Sequence, residues 1–255
     1  MRYNKEILET QTVLSAFRGS IAHGMYIPST DPNSIDDVDT MSVCIAPLDH
    51  YLGLTSWGSR GTIESFVGAN DDLYYELRKF IGLLAKGTPN VISMLWLHDD
   101  HYIKTTAQGS RLLANRRIFS TKQVFHAFSE YGKDQLHKMT HFSFNGYMGE
   151  KRKKLVTQYG YDTKNAAHCI RLMRMAVEFL NTGEFIVLRP DWEELLRIKK
   201  GEWTLEKAQK EATVLFAEAK AAYDKCTLPE EPNMEAINTL CQRLVLDWHS
   251  IREVR

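Results

Sequence analysis

Cysteine is scarce in this chain: four in 255 residues (Cys44, Cys169, Cys226, Cys241), far apart and with no CxxC among them. That spacing supports neither a disulfide framework nor a zinc knuckle. No apolar run approaches the ~18–20 residues that a membrane span requires. The opening Met1-Arg2-Tyr3-Asn4-Lys5-Glu6 leads into a mixed amphipathic stretch rather than the apolar core of a signal peptide. A cytoplasmic protein with no membrane partner is therefore expected. Internal repeats and low-complexity segments are missing too. Net charge is also lacking, since 32 Lys/Arg balance 32 Asp/Glu; by itself this argues neither for nor against nucleic acid.

The distribution of that charge is more informative. Residues 1–109 carry 8 basic and 13 acidic side chains, residues 110–175 carry 13 and 4, and residues 176–255 carry 11 and 15. An acidic N-terminal segment facing a basic middle is what a metal–triphosphate site needs, although a solvated basic surface would give the same count. With 44% hydrophobic residues the chain can bury a real core, as one large domain or two modest ones.

Ile7, Leu8, Val13, Leu14 and Phe17 fall at helical spacing and predict a short amphipathic helix over residues 6–17. Arg18-Gly19-Ser20 reads as a turn and Pro28–Ser34 as a loop. Asp37–Pro47 reads as a strand, and Thr62–Val67 and Asp72–Leu77 as two more, joined by a hairpin connection at Gly68-Ala69-Asn70. Residues 78–86 and about 90–97 read as helices. From about 107 onward the pattern is helical, with stretches at 121–143, 163–182, 190–199 and 204–225 set off by Gly183, Pro190, Gly201 and Pro229/Pro232. The expected fold is α+β: a small mixed sheet with helices in residues 1–108, then an all-helical domain in residues 109–255.

Chemistry concentrates in Gly19-Ser20 followed, after the loop, by Asp37-Val38-Asp39. Carboxylates two apart on a strand project to one face. They repel unless a cation sits between them, and Mg²⁺ is held by one or two carboxylates plus phosphate oxygens. A glycine-serine turn offers backbone N–H groups, a hydroxyl and close backbone approach to a triphosphate. Lys164, His168 and Arg171, four and three apart, form one cationic stripe on a helix that would face phosphate. The plainer alternatives are a solvated acidic pair and a solvated basic face. Lys79 could also reach phosphate or pair with Glu76. Lys151-Arg152-Lys153-Lys154, with Tyr159 and Tyr161 beyond, could track a polynucleotide backbone and stack bases. His98-Asp99-Asp100-His101 reads as the polar exit from a core helix rather than a metal site.

Gly19-Ser20-Ile21-Ala22-His23-Gly24 with Asp37-Val38-Asp39 resembles the signature of the DNA polymerase β nucleotidyltransferase superfamily. More narrowly, the chain resembles a bacterial and phage nucleotidyltransferase family with members associated with RNA repair. Tyr75–Phe80, Lys86–Val91, Tyr159–Lys164, His168–Leu172, Thr182–Glu184 and Leu228–Pro232 extend the likeness from about residue 15 to about residue 245. Thr88 and Ser93 depart from the Asn and Glu common in the family, Ser29–Asn33 lengthens the loop, and Asp36 adds a third acid before the pair.

The resemblance implies transfer of a nucleotide from a nucleoside triphosphate such as ATP to an acceptor hydroxyl. Two Mg²⁺ ions (or Mn²⁺) would be held by Asp37 and Asp39, with phosphates gripped by Gly19 and Ser20. The same resemblance assigns phosphate to Lys164, His168 and Arg171, and expects a third carboxylate on a neighbouring strand. Asp72 and Glu76 share a face there, and Asp72 is favoured because Glu76 falls where the next helix starts. A nucleic-acid acceptor would use the basic residues 110–175. Rival readings are a nucleic-acid-binding module with a decayed site, which would not need the acids, and an enzyme that modifies a protein side chain.

Overall fold

The computed structural model describes residues 5–28, 30–31, 36–67, 70–140 and 150–253, which form an α+β fold around one mixed five-stranded sheet. The first elements are α1 (Lys5–Gln11), β1 (Thr12–Phe17), α2 (Gly19–Ala22), β2 (Val38–Cys44) and α3 (Leu48–Leu52). Then come β3 (Thr62–Val67), β4 (Asn70–Glu76), α4 (Leu77–Ala85), α5 (Pro89–Ile92) and β5 (Tyr102–Thr105). Helices follow: α6 (Ala107–Ala114), α7 (Gln123–Thr140), α8 (Glu150–Tyr159), α9 (Thr163–Thr182), α10 (Trp192–Lys199), α11 (Leu205–Lys225) and α12 (Met234–Glu253). Among the described residues no helix is long and apolar enough to cross a membrane.

Two expectations are corrected at the front of the chain. The helix expected over 6–17 ends at Gln11, and Thr12–Phe17 is a strand instead. β1 lies between β2 and β5 in the order β3-β4-β2-β1-β5 and is covered on both faces, so Val13, Leu14, Ser15 and Ala16 are all buried. A strand buried on both sides shows no alternation and cannot be told from a helix by period. Residues 90–97 form only the short α5 and a 3-10 turn at Ser93–Trp96. β3 and β4 pair antiparallel as expected, while Gly68 and Ala69 of their connection lie outside the described residues, as do Ser29 and residues 32–35 of the early loop.

β2 and β4 run parallel in register, with Asp39 opposite Asp71, Thr40 opposite Asp72 and Met41 opposite Leu73. Opposed residues share a face and successive ones alternate. One face therefore carries Asp39, Met41 and Val43 with Asp71 and Leu73, and its apolar members belong to the main core. The other carries Thr40, Ser42 and Cys44 with Asp72, Tyr74 and Glu76, and its apolar members pack with Leu8 and Trp57. Glu76 ends β4 by capping α4, accepting from the N–H groups of Arg78 at 3.0 Å and Lys79 at 3.3 Å.

The main core joins Leu14, Val43 and Phe80 to Phe128 of α7, Leu172 and Phe179 of α9, and Ile237 and Leu244 of α12. Helix α9 is the centre of the helical part, packed against α7, α10 and α11. Asp162 caps its start by accepting the Asn165 N–H at 3.1 Å, and Gly183 ends it in the left-handed region at φ 77°. Phe185 then folds back, its ring 4.2 Å from Phe179 and 5.3 Å from Phe128 between centroids.

Phe179 is fully buried against Phe185 and Trp96. Phe179→Ala should lower unfolding free energy by about 3–5 kcal/mol, the usual cost of such a void. Urea unfolding measures it, and a loss under about 1 kcal/mol would mean that this stack is not part of the core.

Candidate active site

A cavity of about 190 Å³ lies where the start of β2 meets the start of α9. Gly19, Ser20 and Asp39 line it from the sheet side, and Lys164, His168 and Arg171 from α9. Six of the eight positions singled out in the sequence therefore meet in one place, while Asp37 and Asp72 are not among its lining residues. Arg18, His23, Asn90 and Lys199 also line it, though sequence reasoning assigned them no role. Gly19 is required by its surroundings: its φ is +64°, and a Cβ there would lie 2.5 Å from Asp39 Oδ2.

On the acidic side, the strand register corrects one expectation. Asp72 faces away from Asp39, and its carboxylate accepts a hydrogen bond from Thr40 Oγ1 at 2.6 Å. Glu76 lies on that same far face at the other end of β4, buried as the cap of α4. The carboxylate beside Asp39 is Asp71, which the sequence reading passed over. Arg18 bridges the two: its Nη2 lies 2.7 Å from Asp71 Oδ2 and 4.0 Å from Asp39 Oδ1. Burial raises the Asp39 pKa, Arg18 opposes the shift, and Asp71 and Asp37 add to it. Asp37 is exposed, one residue before β2 begins.

The cationic side is built differently. Arg171 is buried, 4% exposed, yet among the described residues no carboxylate pairs with it. Among the described residues, its Nη1 lies 3.2 Å from Met175 Sδ and 3.4 Å from His23 Nδ1. The His23 Nδ1 also lies 3.0 Å from the Val187 carbonyl, which can only accept, so Nδ1 carries a proton and offers Arg171 nothing. Burial, with the Arg189 guanidinium nearby, pushes Arg171 down to about 9. Neighbouring cations are compensated: Arg174 Nη1 meets Asp191 and Glu194 at 2.7 Å each and its Nη2 meets Glu211 at 2.9 Å. Arg189 Nη2 donates to Glu178 at 2.7 Å and its Nε to Asp191 at 2.8 Å.

Asp36 is buried rather than poised for chemistry. It is ion-paired with the buried Lys199 of α10, and its Oδ2 accepts the Ile27 N–H at 2.9 Å. Lys164 Nζ stands 3.5 Å from its Oδ1, and Lys199 Nζ also donates to the Met25 carbonyl at 3.0 Å. This pair ties the loop ahead of β2 to the helical part and so sets where Asp39 meets α9.

The basic middle is less open than its composition suggests. Arg111, Arg117, Lys122 and Arg174 are ion-paired with acids from residues 176–255, and Lys138 with Asp134. The side chains of Lys151 and Arg152 lie outside the described residues, while Lys154 is exposed on α8. Tyr161 cannot stack a base: it is 1% exposed and donates to the Trp203 carbonyl at 2.7 Å. The half-buried Tyr159 ring lies where a Cβ on Gly201 would be.

No group of three or more His, Cys, Asp or Glu close enough to hold a metal ion occurs among the described residues. Mg²⁺ needs fewer protein ligands than that, because water and phosphate oxygens fill the remaining positions. Asp39 and Asp71, adjacent on one face with a guanidinium between them, are oxygen donors already arranged around positive charge. They fit a hard divalent cation.

A family model described as the RNA repair pathway DNA polymerase beta family matches residues 4–243. No curated protein matches.

Complete burial beside Arg171 holds the His23 pKa well below 6.5, so the folded protein keeps it neutral while the unfolded chain protonates it near 6.5. Between those two values the unfolded state binds the extra proton. Stability should therefore fall as pH drops below about 6.5, with a slope of up to about 1.4 kcal/mol per pH unit from this one group. His23→Asn, which can still donate to Val187, should flatten that slope in denaturant titrations at pH 5 to 7. An unchanged slope would show that His23 is not held neutral.

Proposed function

Because the chain belongs to the RNA repair pathway DNA polymerase beta family, we propose that it transfers a nucleoside monophosphate from a nucleoside triphosphate to an acceptor hydroxyl. The observation that carries the proposal is Arg171, a buried cation that no carboxylate pairs with among the described residues, in the same cavity as Gly19, Ser20 and Asp39. Such a charge is costly to bury and is stabilised by an anionic ligand. Triphosphate is the anion that the glycine-serine turn and the neighbouring carboxylates also suit.

In this reading Gly19 and Ser20 hold phosphate oxygens through backbone N–H groups and the serine hydroxyl. Lys164, His168 and Arg171 neutralise the same phosphates from α9. Asp37, Asp39 and Asp71 would together hold the divalent metal, Mg²⁺ with Mn²⁺ as the alternative. Asp71 replaces Asp72 as the third carboxylate, because its oxygen stands beside Asp39. The bound metal would polarise the α-phosphate and acidify the acceptor hydroxyl. The acceptor oxygen bonds to the α-phosphorus as the bond to pyrophosphate breaks, and the hydroxyl proton can pass to Asp71. Rate enhancement comes from positioning and from charge that is in place beforehand. Residues 1–108 supply the acids and residues 109–255 the cations, so the helical part acts as the wall that closes on the nucleotide.

RNA is the acceptor that the family's description favours. Lys154 on the exposed side of α8 is available to such a strand, unlike the paired Arg111, Arg117 and Lys122. Each labelled nucleoside triphosphate, incubated with Mg²⁺ and total RNA, DNA or lysate, identifies the base used and the acceptor.

Variants test the carboxylate assignment. Asp39→Asn and Asp71→Asn should each reduce transfer by roughly 100-fold or more, as loss of one charge-stabilising group does. Asp72→Asn should keep transfer within a few-fold of the parent. Loss of activity in Asp72→Asn equal to that in Asp71→Asn would sink the assignment.

A further inference from the structure

The Arg18 guanidinium does more than cross the acidic face. Its backbone N–H donates to the Asp39 carbonyl at 2.9 Å, and its Nε donates to the Thr40 carbonyl at 3.1 Å. The first holds the Arg18 backbone at the start of β2 and the second its side chain, so that Nη2 reaches Asp71 Oδ2 at 2.7 Å and stops 4.0 Å from Asp39 Oδ1. Arg18, Asp39 and Asp71 keep side-chain exposures of 22%, 27% and 32%, so solvent and ions can reach the group. A cation thus occupies the face on which the two carboxylates converge, and it is a side-chain guanidinium rather than a backbone group.

We propose that Arg18 is a resident counter-ion that competes with the divalent metal for Asp71 and thereby sets the metal concentration the site requires. The proposal rests on the nucleotidyltransferase reading, because that reading supplies the metal. Without Arg18, Asp39 and Asp71 would face each other as like charges offset only by the more distant Lys164, a repulsion that a cation from solution would relieve. With Arg18 present, a metal must displace the guanidinium from Asp71 before it can take both carboxylates. The displaced side chain still lines the phosphate cavity, where a guanidinium forms strong paired hydrogen bonds to phosphate oxygens. Metal entry and phosphate binding are linked through one residue.

Mn²⁺ binding without nucleotide provides the test, followed by loss of the free-ion electron paramagnetic resonance signal in parent, Arg18→Gln and Arg18→Lys. Thermal unfolding first establishes that each variant is folded. Arg18→Gln removes the charge and should bind Mn²⁺ about ten-fold more tightly than the parent. Arg18→Lys retains a positive charge and should stay within a few-fold of the parent. Equal or weaker binding by Arg18→Gln would overturn the proposal, as would Arg18→Lys binding as tightly as Arg18→Gln. If neither parent nor variants bind Mn²⁺ at all, the metal-dependent reading fails and this inference with it. Binding by the parent that Arg18→Gln leaves unchanged removes this inference alone.

Discussion

The parallel register of β2 with β4 decides which carboxylates can meet. A single-residue slip would bring Asp72 beside Asp39 and turn Asp71 to the far face, because the side-chain period of a strand is two. The register is held on both faces by different chemistry. On one, Met41 and Val43 pair with Leu73 and Tyr75 over the main core; on the other, Thr40 donates to Asp72. A slip would put apolar groups among polar partners on both sides at once. The same face that carries the acids also carries the core that the helices cover, so the acids sit at the rim nearest α9. Asp36 and Lys199 fix the approach by anchoring the preceding loop to α10.

Electrostatic contrast along α9 gives the cavity its character. Arg174 meets three carboxylates, whereas Arg171, three residues earlier, meets none among the described residues. Both are on one helix and neither is fully open to water, so the difference lies in the partners that the fold provides. Lys199 is buried too, and it has Asp36. A buried guanidinium with no ion-pair partner costs several kcal/mol. In the proposed reading, the place of Arg171 in one cavity with a left-handed glycine, a serine and a carboxylate makes that cost preparation for an anion.

Much of the candidate site was legible in the sequence. Gly19-Ser20 and Asp37-Val38-Asp39 announced themselves by residue type and spacing, and Lys164, His168 and Arg171 by helical period; the cavity joins all of these except Asp37 and Val38. What stayed hidden depends on pairing between distant segments. Asp71 and Asp72 are adjacent, and only the partner strand says which one faces Asp39. Arg18 read as part of a turn because its role comes from Asp71, 53 residues away. Lys199 lies 163 residues from Asp36, and no local pattern connects them. β1 escaped because burial on both faces erases the alternation that marks a strand, and β5 because its Ile103, Lys104 and Thr105 are all exposed at the sheet edge. The charge balance of residues 110–175 overstated a free cationic surface, since ion pairs with later acids consume several of those side chains.

In the proposed reading Arg171 and the carboxylates on β2 and β4 form one metal–triphosphate site. Thermal unfolding with each nucleoside triphosphate, in Mg²⁺ and in excess chelator, tests it most directly when parent and Arg171→Met are compared. A ligand that binds the folded state at 100 times its dissociation constant stabilises by about 2.7 kcal/mol, which is several degrees in melting temperature for a chain of this size. That shift is expected for the parent with Mg²⁺, a much smaller one in chelator, and little or none for Arg171→Met. A triphosphate shift that is the same size in chelator, or undiminished in Arg171→Met, would contradict it.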